Sequence, residues 1–219
     1  MQDSKVAAFF DLDYTITNVD TFRIFLKKYY LSSPFKIHYV IFIFIFGVLR
    51  KFHLISLRTF KEKSLIGLKK MSRNEIYNLG EKFFILYLIK GIRRKAIKQI
   101  EKHKKNGDLV YIISGSPDIY LKSFNDYLNC DDYFCTNLEF EKNYFTGRIS
   151  GNDCVGEEKL NRLNRISILE KLNVNKVFFY TDHDIDLPLL NRVGNPVAIS
   201  PTKLLMEIAI KQNWSVKYW

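Results

Sequence analysis

The reading turns on the stretch FFDLDYTIT, Phe9 to Thr17. An apolar run ends there in two carboxylates, Asp11 and Asp13, separated by Leu12 and followed at once by hydroxyl side chains. Side chains alternate along an extended strand, so this spacing predicts that Asp11 and Asp13 point the same way where the strand leaves its sheet. Two anions are thereby brought to one place, and chemistry is the first reason to consider.

Two further apolar strands end in polar residues. DLVYII runs into Ser114, and KVFFY runs into Thr181 and Asp182, as VAAFF runs into Asp11. Helical patterns separate them, including RRKAIKQIEKHKKNG (Arg93 to Gly107), which closes with basic residues and a Gly suited to a helix C-terminus. This alternation predicts an α/β fold, doubly wound and Rossmann-like, with a parallel sheet covered by helices on both faces. Ligands in such folds bind beyond the carboxyl ends of the strands, so the three polar clusters are expected to meet in one crevice.

From Thr21 to about Lys90 the pattern becomes helical and aromatic-rich, which predicts a helical cap (residues 21–90) inserted into a core made of residues 1–20 and 91–219. Within it, IHYVIFIFIFGVL (Ile37 to Leu49) carries no formal charge over thirteen residues. A spanning helix needs roughly 20 apolar residues. Three readings stay open: a buried or dimer-forming cap helix, a membrane-surface segment flanked by Lys27, Lys28, Lys36, Arg50 and Lys51, and a span extended through Leu31 to Phe35. FFILYLIKGI, Phe83 to Ile92, reads as cap core.

Composition narrows the class. With 219 residues, 47% hydrophobic and 26% charged, the chain is a globular protein rather than a disordered one. A formal net charge of +11 favours anionic partners: phosphorylated metabolites, acidic lipid surfaces or nucleic acid. No nucleic-acid motif accompanies the basic runs, so nucleic acid is not expected. Cys130, Cys135 and Cys154 form neither a CxxC pair nor a zinc spacing with the four His residues, which suits reduced thiols in the cytoplasm. The N-terminus, MQDSKVAAFF, has too short an apolar run for a signal peptide, so export is not expected.

Four separated pieces belong together: DLDYT with Asp11, Asp13 and Thr15; IISGS with Ser114; VGEEK with Lys159; and YTDHDIDLPLL with Asp182 and Asp186. Each alone has an ordinary explanation, as a helix cap, a turn or a solvated lysine. An EF-hand reading of DHDID fails, because Leu187 stands where Gly is needed and Val193 where Glu belongs. In order and in strand-end placement the four pieces resemble the motifs of the haloacid dehalogenase superfamily of phosphotransferases. The similarity runs from Ala7 to about Pro201, within the subgroup whose helical cap follows the first motif and which includes phosphoserine phosphatase.

The resemblance implies a Mg2+-dependent phosphatase working through an aspartyl-phosphate. Asp11 is then the nucleophile, and Asp13 protonates the leaving alcohol and later activates water. Mg2+ is expected on Asp11, the backbone carbonyl of Asp13 and Asp182, with Asp186 behind them. Ser114, the N–H of Gly115 and Lys159 are expected on the phosphate, and Thr15 is expected to fix the turn. Tyr14, Thr181 and His183 depart from the commonest family residues, and His183 is expected to be structural.

In phosphoserine phosphatases a cap acid holds the substrate amine and a cap Arg its carboxylate. Asp20 is the candidate for the first, but FKEKSLIGLKKMS (Phe60 to Ser72) has no Arg for the second. The chain looks closest to the branch that includes phosphatidylglycerophosphatase C and a histidinol-phosphatase. The leading expectation is therefore a phosphorylated lipid at the cytoplasmic face of an anionic membrane. A small soluble phosphomonoester and an inactive membrane-peripheral binding protein are the alternatives, and the oligomeric state is left open.

Overall fold

The protein, seen in a computed structural model, is described over residues 6–165 and 172–219. Met1–Lys5, most of the stretch judged too short for a signal peptide apart from its apolar residues, lies outside them. A seven-stranded sheet has the order β4-β3-β2-β1-β5-β6-β7, with β1 Ala7–Phe10, β2 Leu109–Pro117, β3 Asp132–Glu141, β4 Tyr144–Ser150, β5 Val177–Thr181, β6 Asn195–Ile199 and β7 Ser215–Lys217. All pairings are parallel except β3 with β4.

Strand β1 is apolar throughout because both of its faces are covered. Ala7 and Phe9 pack with Tyr111, Ile113, Phe179 and Leu163 on one side. Ala8 and Phe10 pack with Val110, Ile112, Tyr180 and Phe124 on the other. Phe10 lies level with Ile112 of β2 and Tyr180 of β5, so β1 and β5 end side by side while β2 runs on past them to Pro117. This is the expected doubly wound arrangement, and the carboxyl end of β1 sits where connections leave to opposite sides of the sheet.

Between β1 and β2 lie helices α1 (Thr21–Tyr30), α2 (Ile37–Lys51), α3 (Leu57–Ser64) and α4 (Arg73–Phe83), and α5 (Arg94–Lys105) leads back into the sheet. The first face of the sheet carries α7 (Glu157–Arg165), α8 (Leu187–Leu190) and α9 (Lys203–Lys211); the second carries α5 and α6 (Leu121–Leu128). The inserted helices share one buried cluster with that second face: Phe25 of α1 meets both Phe83 and Tyr120.

The β3–β4 hairpin was not among the strands expected from sequence. Its turn residues Lys142 and Asn143 take φ 47° and 71°, the left-handed pair that a two-residue hairpin turn demands. A Lys-Asn turn lacks the Gly that usually advertises it. The hairpin holds the insertion from the side, through Phe145 N–H to Met71 O (2.9 Å) and Lys70 N–H to Phe145 O (3.0 Å).

Helix α2 corrects the buried reading of Ile37 to Leu49: none of its residues is buried. Tyr39, Val40 and Ile43 lean on the core, while Ile37, Ile41, Phe42, Phe44 and Ile45 are exposed. At fifteen residues α2 is about 22 Å long, short of a bilayer core of about 30 Å. Among the described residues no single helix is long and apolar enough to cross a membrane; the segments Thr21–Tyr30 and Pro34–Lys51 pass only as a pair bent by 118°.

Helix α4 of the insertion also packs closely on the backbone that follows β2. A Cβ at Gly80 of α4 would lie 1.7 Å from the carbonyl oxygen of Ile119, beyond what side-chain adjustment can relieve. Gly80→Ala is expected to cost about 3 kcal/mol or more in urea denaturation; a loss below about 1 kcal/mol would show that α4 is free to shift.

Candidate active site

Strand β1 stops at Phe10, and the chain does not continue as an extended strand past Asp11. Asp11 N–H still donates to Tyr180 O (2.9 Å), but Leu12–Ile16 forms a wide turn closed by Ile16 N–H to Asp11 O (3.3 Å) and Thr17 N–H to Leu12 O (2.9 Å). Tyr14 sits in the left-handed region at φ 55°. Strand alternation therefore fails to describe Asp13, because the turn rotates it away from the register of β1. Thr17, not Thr15, ties the turn: its hydroxyl donates to Val19 O (2.8 Å) and Leu12 O (3.1 Å), whereas Thr15 Oγ1 is buried without a partner.

Asp11, Asp186 and Lys159 meet at the floor of a cleft of about 310 Å³. Lys159 Nζ, from the first turn of α7, donates to Asp11 Oδ1 (2.6 Å) and Asp186 Oδ2 (2.7 Å), and all three residues are buried. Thr181, the last residue of β5, donates from Oγ1 to the same Asp186 Oδ2 (2.7 Å). Burial alone would lower Lys159, but the two carboxylates outweigh it and hold the ammonium charged. Asp11 is pushed well up by burial, opposed by Lys159 and reinforced by the nearby charges of Asp186, Asp182 and Asp13.

Asp13 has separate company. Its Oδ1 accepts from Thr21 N–H (2.7 Å) and Thr21 Oγ1 (2.6 Å), and its Oδ2 accepts from Ser116 Oγ (2.7 Å). Ser116 and Thr21 also meet each other (3.1 Å) and the hydroxyl of Tyr120. Burial raises the Asp13 carboxyl, with help from Asp20 and against those hydrogen bonds. Hydroxyls can turn from donor to acceptor, so this cluster can serve Asp13 with or without a proton. Thr21, Ser116 and Tyr120 were missed from sequence. Ser116 lies two residues past Ser114 in the motif already noted, and only the fold brings Thr21 and Tyr120 beside it.

The other expected residues divide. Gly115 lines the cleft, and a Cβ there would meet Val155 Cγ2 at 2.7 Å. Ser114 is wholly buried beneath the wall, its Oγ accepting from Ser116 N–H (3.0 Å). Asp20 lines the cleft while capping α1 through Arg23 N–H (2.8 Å). His183 also lines the cleft, and its Nδ1 accepts from Ile185 N–H (3.1 Å), a cap for the turn Asp184–Asp186. Lys61 of α3, unforeseen, reaches from the insertion to Gly115 O and Asp153 Oδ1, each at 2.6 Å.

Residues 8–191 match the haloacid dehalogenase-like hydrolases. The chain belongs to that family. It is similar to a phosphoserine phosphatase of Mycobacterium tuberculosis, 25% identical over 219 residues that cover 98% of this chain and 71% of the relative. A histidinol-phosphatase of Neisseria meningitidis is 27% identical over 168 residues, 74% of this chain and 75% of the relative. A solved protein of unknown function from Bordetella pertussis shares the fold with TM-score 0.85 and 22% identity, covering 98% of both chains. A substrate-bound phosphoserine phosphatase shares it with TM-score 0.68 and 16% identity, covering 99% of this chain and 94% of that one. Family and relatives together make the chain a HAD-type phosphatase.

Members of this family generally use Mg2+, and the residues fit such an ion. Among the described residues no three His, Cys, Asp or Glu side chains form a ready metal cluster. Mg2+ does not require one, since it takes one or two carboxylates and retains several waters. Five carboxylates among the described residues, Asp11, Asp13, Asp20, Asp182 and Asp186, line the cleft, where Lys159 bridges Asp11 and Asp186 and Lys61 is committed to Asp153. Among the described residues Asp186 Oδ1 is buried with no partner. Asp182 is raised to about 6 by burial first, with Asp186 adding to it and His183 and Lys159 opposing it.

Two predictions follow from this electrostatics. Removing the ammonium in Lys159→Met strands two buried carboxylates, so urea denaturation at pH 8 is expected to show a loss of about 3 kcal/mol that shrinks by pH 5 as Asp11, pushed well up by burial, takes up a proton. An equal loss at both pH values would contradict the assignment. Asp182 titrates near 6 in the folded protein against an ordinary 3.8. Its contribution to stability is thus full below about pH 4 and is lost as pH rises through 6. Asp182→Asn should therefore stabilise the metal-free protein by ~2 kcal/mol at pH 8 and leave it unmoved at pH 4. Thermal denaturation in EDTA across that range is the check, and destabilisation at pH 8 would refute it.

Proposed function

We propose that the protein is a Mg2+-dependent phosphomonoester phosphatase that works through an aspartyl-phosphate on Asp11. The observation that carries this reading is the contrast between two neighbouring carboxylates in one cleft. Asp11 is held against a buried ammonium, and Asp13 is held by hydroxyls and one N–H. The ammonium opposes the rise that burial imposes on Asp11 and so favours the charged form that attacks phosphorus. The raised Asp13 carboxyl keeps a proton available for the departing ester oxygen.

In the first step Asp11 forms a bond to phosphorus while the bond to the ester oxygen breaks, and Asp13 gives that oxygen its proton. In the second, Asp13 takes a proton from water as the water oxygen attacks phosphorus, which releases phosphate and restores Asp11. Lys159 offsets negative charge beside the reacting oxygens throughout, and the N–H of Gly115, which lines the cleft, would donate to the phosphate. Asp11, Asp182 and the backbone carbonyl of Asp13 would hold Mg2+, with Asp186 supporting them. The ion supplies charge neutralisation for the incoming phosphate.

For the substrate, we favour a phosphorylated lipid such as phosphatidylglycerophosphate, approached at an anionic membrane surface. The exposed apolar residues of α2, with Lys27, Lys28, Lys36, Arg50 and Lys51 around them, support it. The names of the relatives favour a soluble ester, phosphoserine or histidinol phosphate. Against phosphoserine, the cations on the cleft wall are Lys61 and Lys159, and both already carry carboxylate partners. A catalytically inactive binding protein is disfavoured because every motif position is filled.

Phosphate release should require Mg2+ and fall by at least about 10³-fold in Asp11→Asn. Full activity of Asp11→Asn would sink the mechanism. Turnover of phosphatidylglycerophosphate in anionic vesicles should exceed that of phosphoserine, histidinol phosphate and glycerol phosphate. Preference for a soluble ester would overturn the lipid assignment alone.

A further inference from the structure

A groove of about 710 Å³ runs between α1 and α2, walled by Phe22, Leu26, Val40, Ile43, Phe44 and Val48. Val40, Ile43, Phe44, Gly47, Val48 and Lys51 fall three and four apart along α2, which places them on one stripe of the helix. The groove adjoins the catalytic cleft. Asp20, Phe22 and Phe60 line both it and the catalytic cleft, so the two hollows share a wall. Its basic residues are Arg23, Lys27 and Lys51. Apolar walls left open to water favour an aliphatic occupant, and cations along them favour one that carries negative charge.

We infer that this groove seats the hydrocarbon chain of an anionic amphiphile whose phosphomonoester end enters the cleft at Asp11. The inference rests on the phosphatase reading for its polar end and deepens it by naming where the rest of the substrate lies. A second copy of the chain is a poorer occupant. A twofold contact through this face would bring the basic groove residues Arg23, Lys27 and Lys51 of one copy onto a surface of the other that carries the same charges. An anionic amphiphile answers the same charges with opposite sign. Gly47 contributes width: a Cβ there would have Phe60 Cε2 at 3.9 Å as its only neighbour within 4 Å, so the space over Gly47 is open to a ligand.

The test uses butyl, octyl and dodecyl phosphate below their aggregation concentrations. With wild-type protein, kcat/KM should rise about two- to fourfold per added methylene until the groove is full, chiefly through KM, as expected for half to full burial of each group. Gly47→Leu fills the groove from a helix position with room for the side chain, and should cut the dodecyl-to-butyl ratio by about tenfold. The same series titrated calorimetrically into Asp11→Asn reads the groove without turnover, and Kd should tighten with chain length there as well. If chain length moves neither KM nor Kd, the inference is overturned while the phosphatase reading stands. If no ester is hydrolysed yet dodecyl phosphate binds Asp11→Asn more tightly than butyl phosphate, the phosphatase reading fails and the groove survives. If Gly47→Leu changes only the sedimentation of the protein, the occupant is a second copy and the inference is overturned.

Discussion

Lys159 holds two carboxylates out of water at once, and the geometry of the site is subordinate to that contact. Its ammonium lies 2.6 Å from Asp11 and 2.7 Å from Asp186, so the end of β1, the first turn of α7 and the turn after β5 must converge within a hydrogen bond of one atom. Burying these charges is expensive, and the mutual attraction offsets the cost only while all three stay in place. One lysine does not neutralise the carboxylates that line the cleft. The surplus negative charge and the unpartnered Asp186 Oδ1 leave the cleft fitted to a small hard cation.

Two aspartates one residue apart acquire different chemistry because the turn gives them different neighbours. The left-handed Tyr14 and the wide turn of Leu12–Ile16 send Asp13 towards Thr21 and Ser116 instead of Lys159. A carboxylate facing an ammonium is suited to attack, and one facing adaptable hydroxyls is suited to exchanging a proton. The inserted segment takes part directly: Thr21 holds Asp13, and Lys61 anchors α3 to Gly115 and Asp153 on the sheet side.

The insertion also gives the molecule its second character. Helix α2 leaves aromatic and aliphatic side chains in water, with Phe35 just before it 88% exposed and Phe44 71% exposed, which few soluble surfaces tolerate without use. Basic residues at both ends of α2 make that face attractive to anions, in keeping with the net charge of +11. A groove that shares Phe22 and Phe60 with the cleft joins this apolar side to the charged one. An amphiphilic phosphate ester would satisfy both.

The residue order by itself determined the parallel, doubly wound core, because apolar strands ending in Asp11, Ser114 and Asp182 leave few other ways to bury both faces of a sheet. It also marked Asp11, Asp13, Lys159, Asp182 and Asp186, since the order and spacing of the four motifs resemble those of the family. Tertiary structure decided what spacing cannot carry. Asp13 left the strand register because a turn depends on φ and ψ at Tyr14, and the hairpin of β3 and β4 formed on a Lys-Asn turn without the usual glycine. Ser116, Tyr120, Thr21 and Lys61 joined the site through contacts between residues up to 103 apart. The exposure of α2 was likewise undetermined, because an apolar helix reads the same whether a core, a second molecule or a lipid covers it, and only the packing around it distinguishes them.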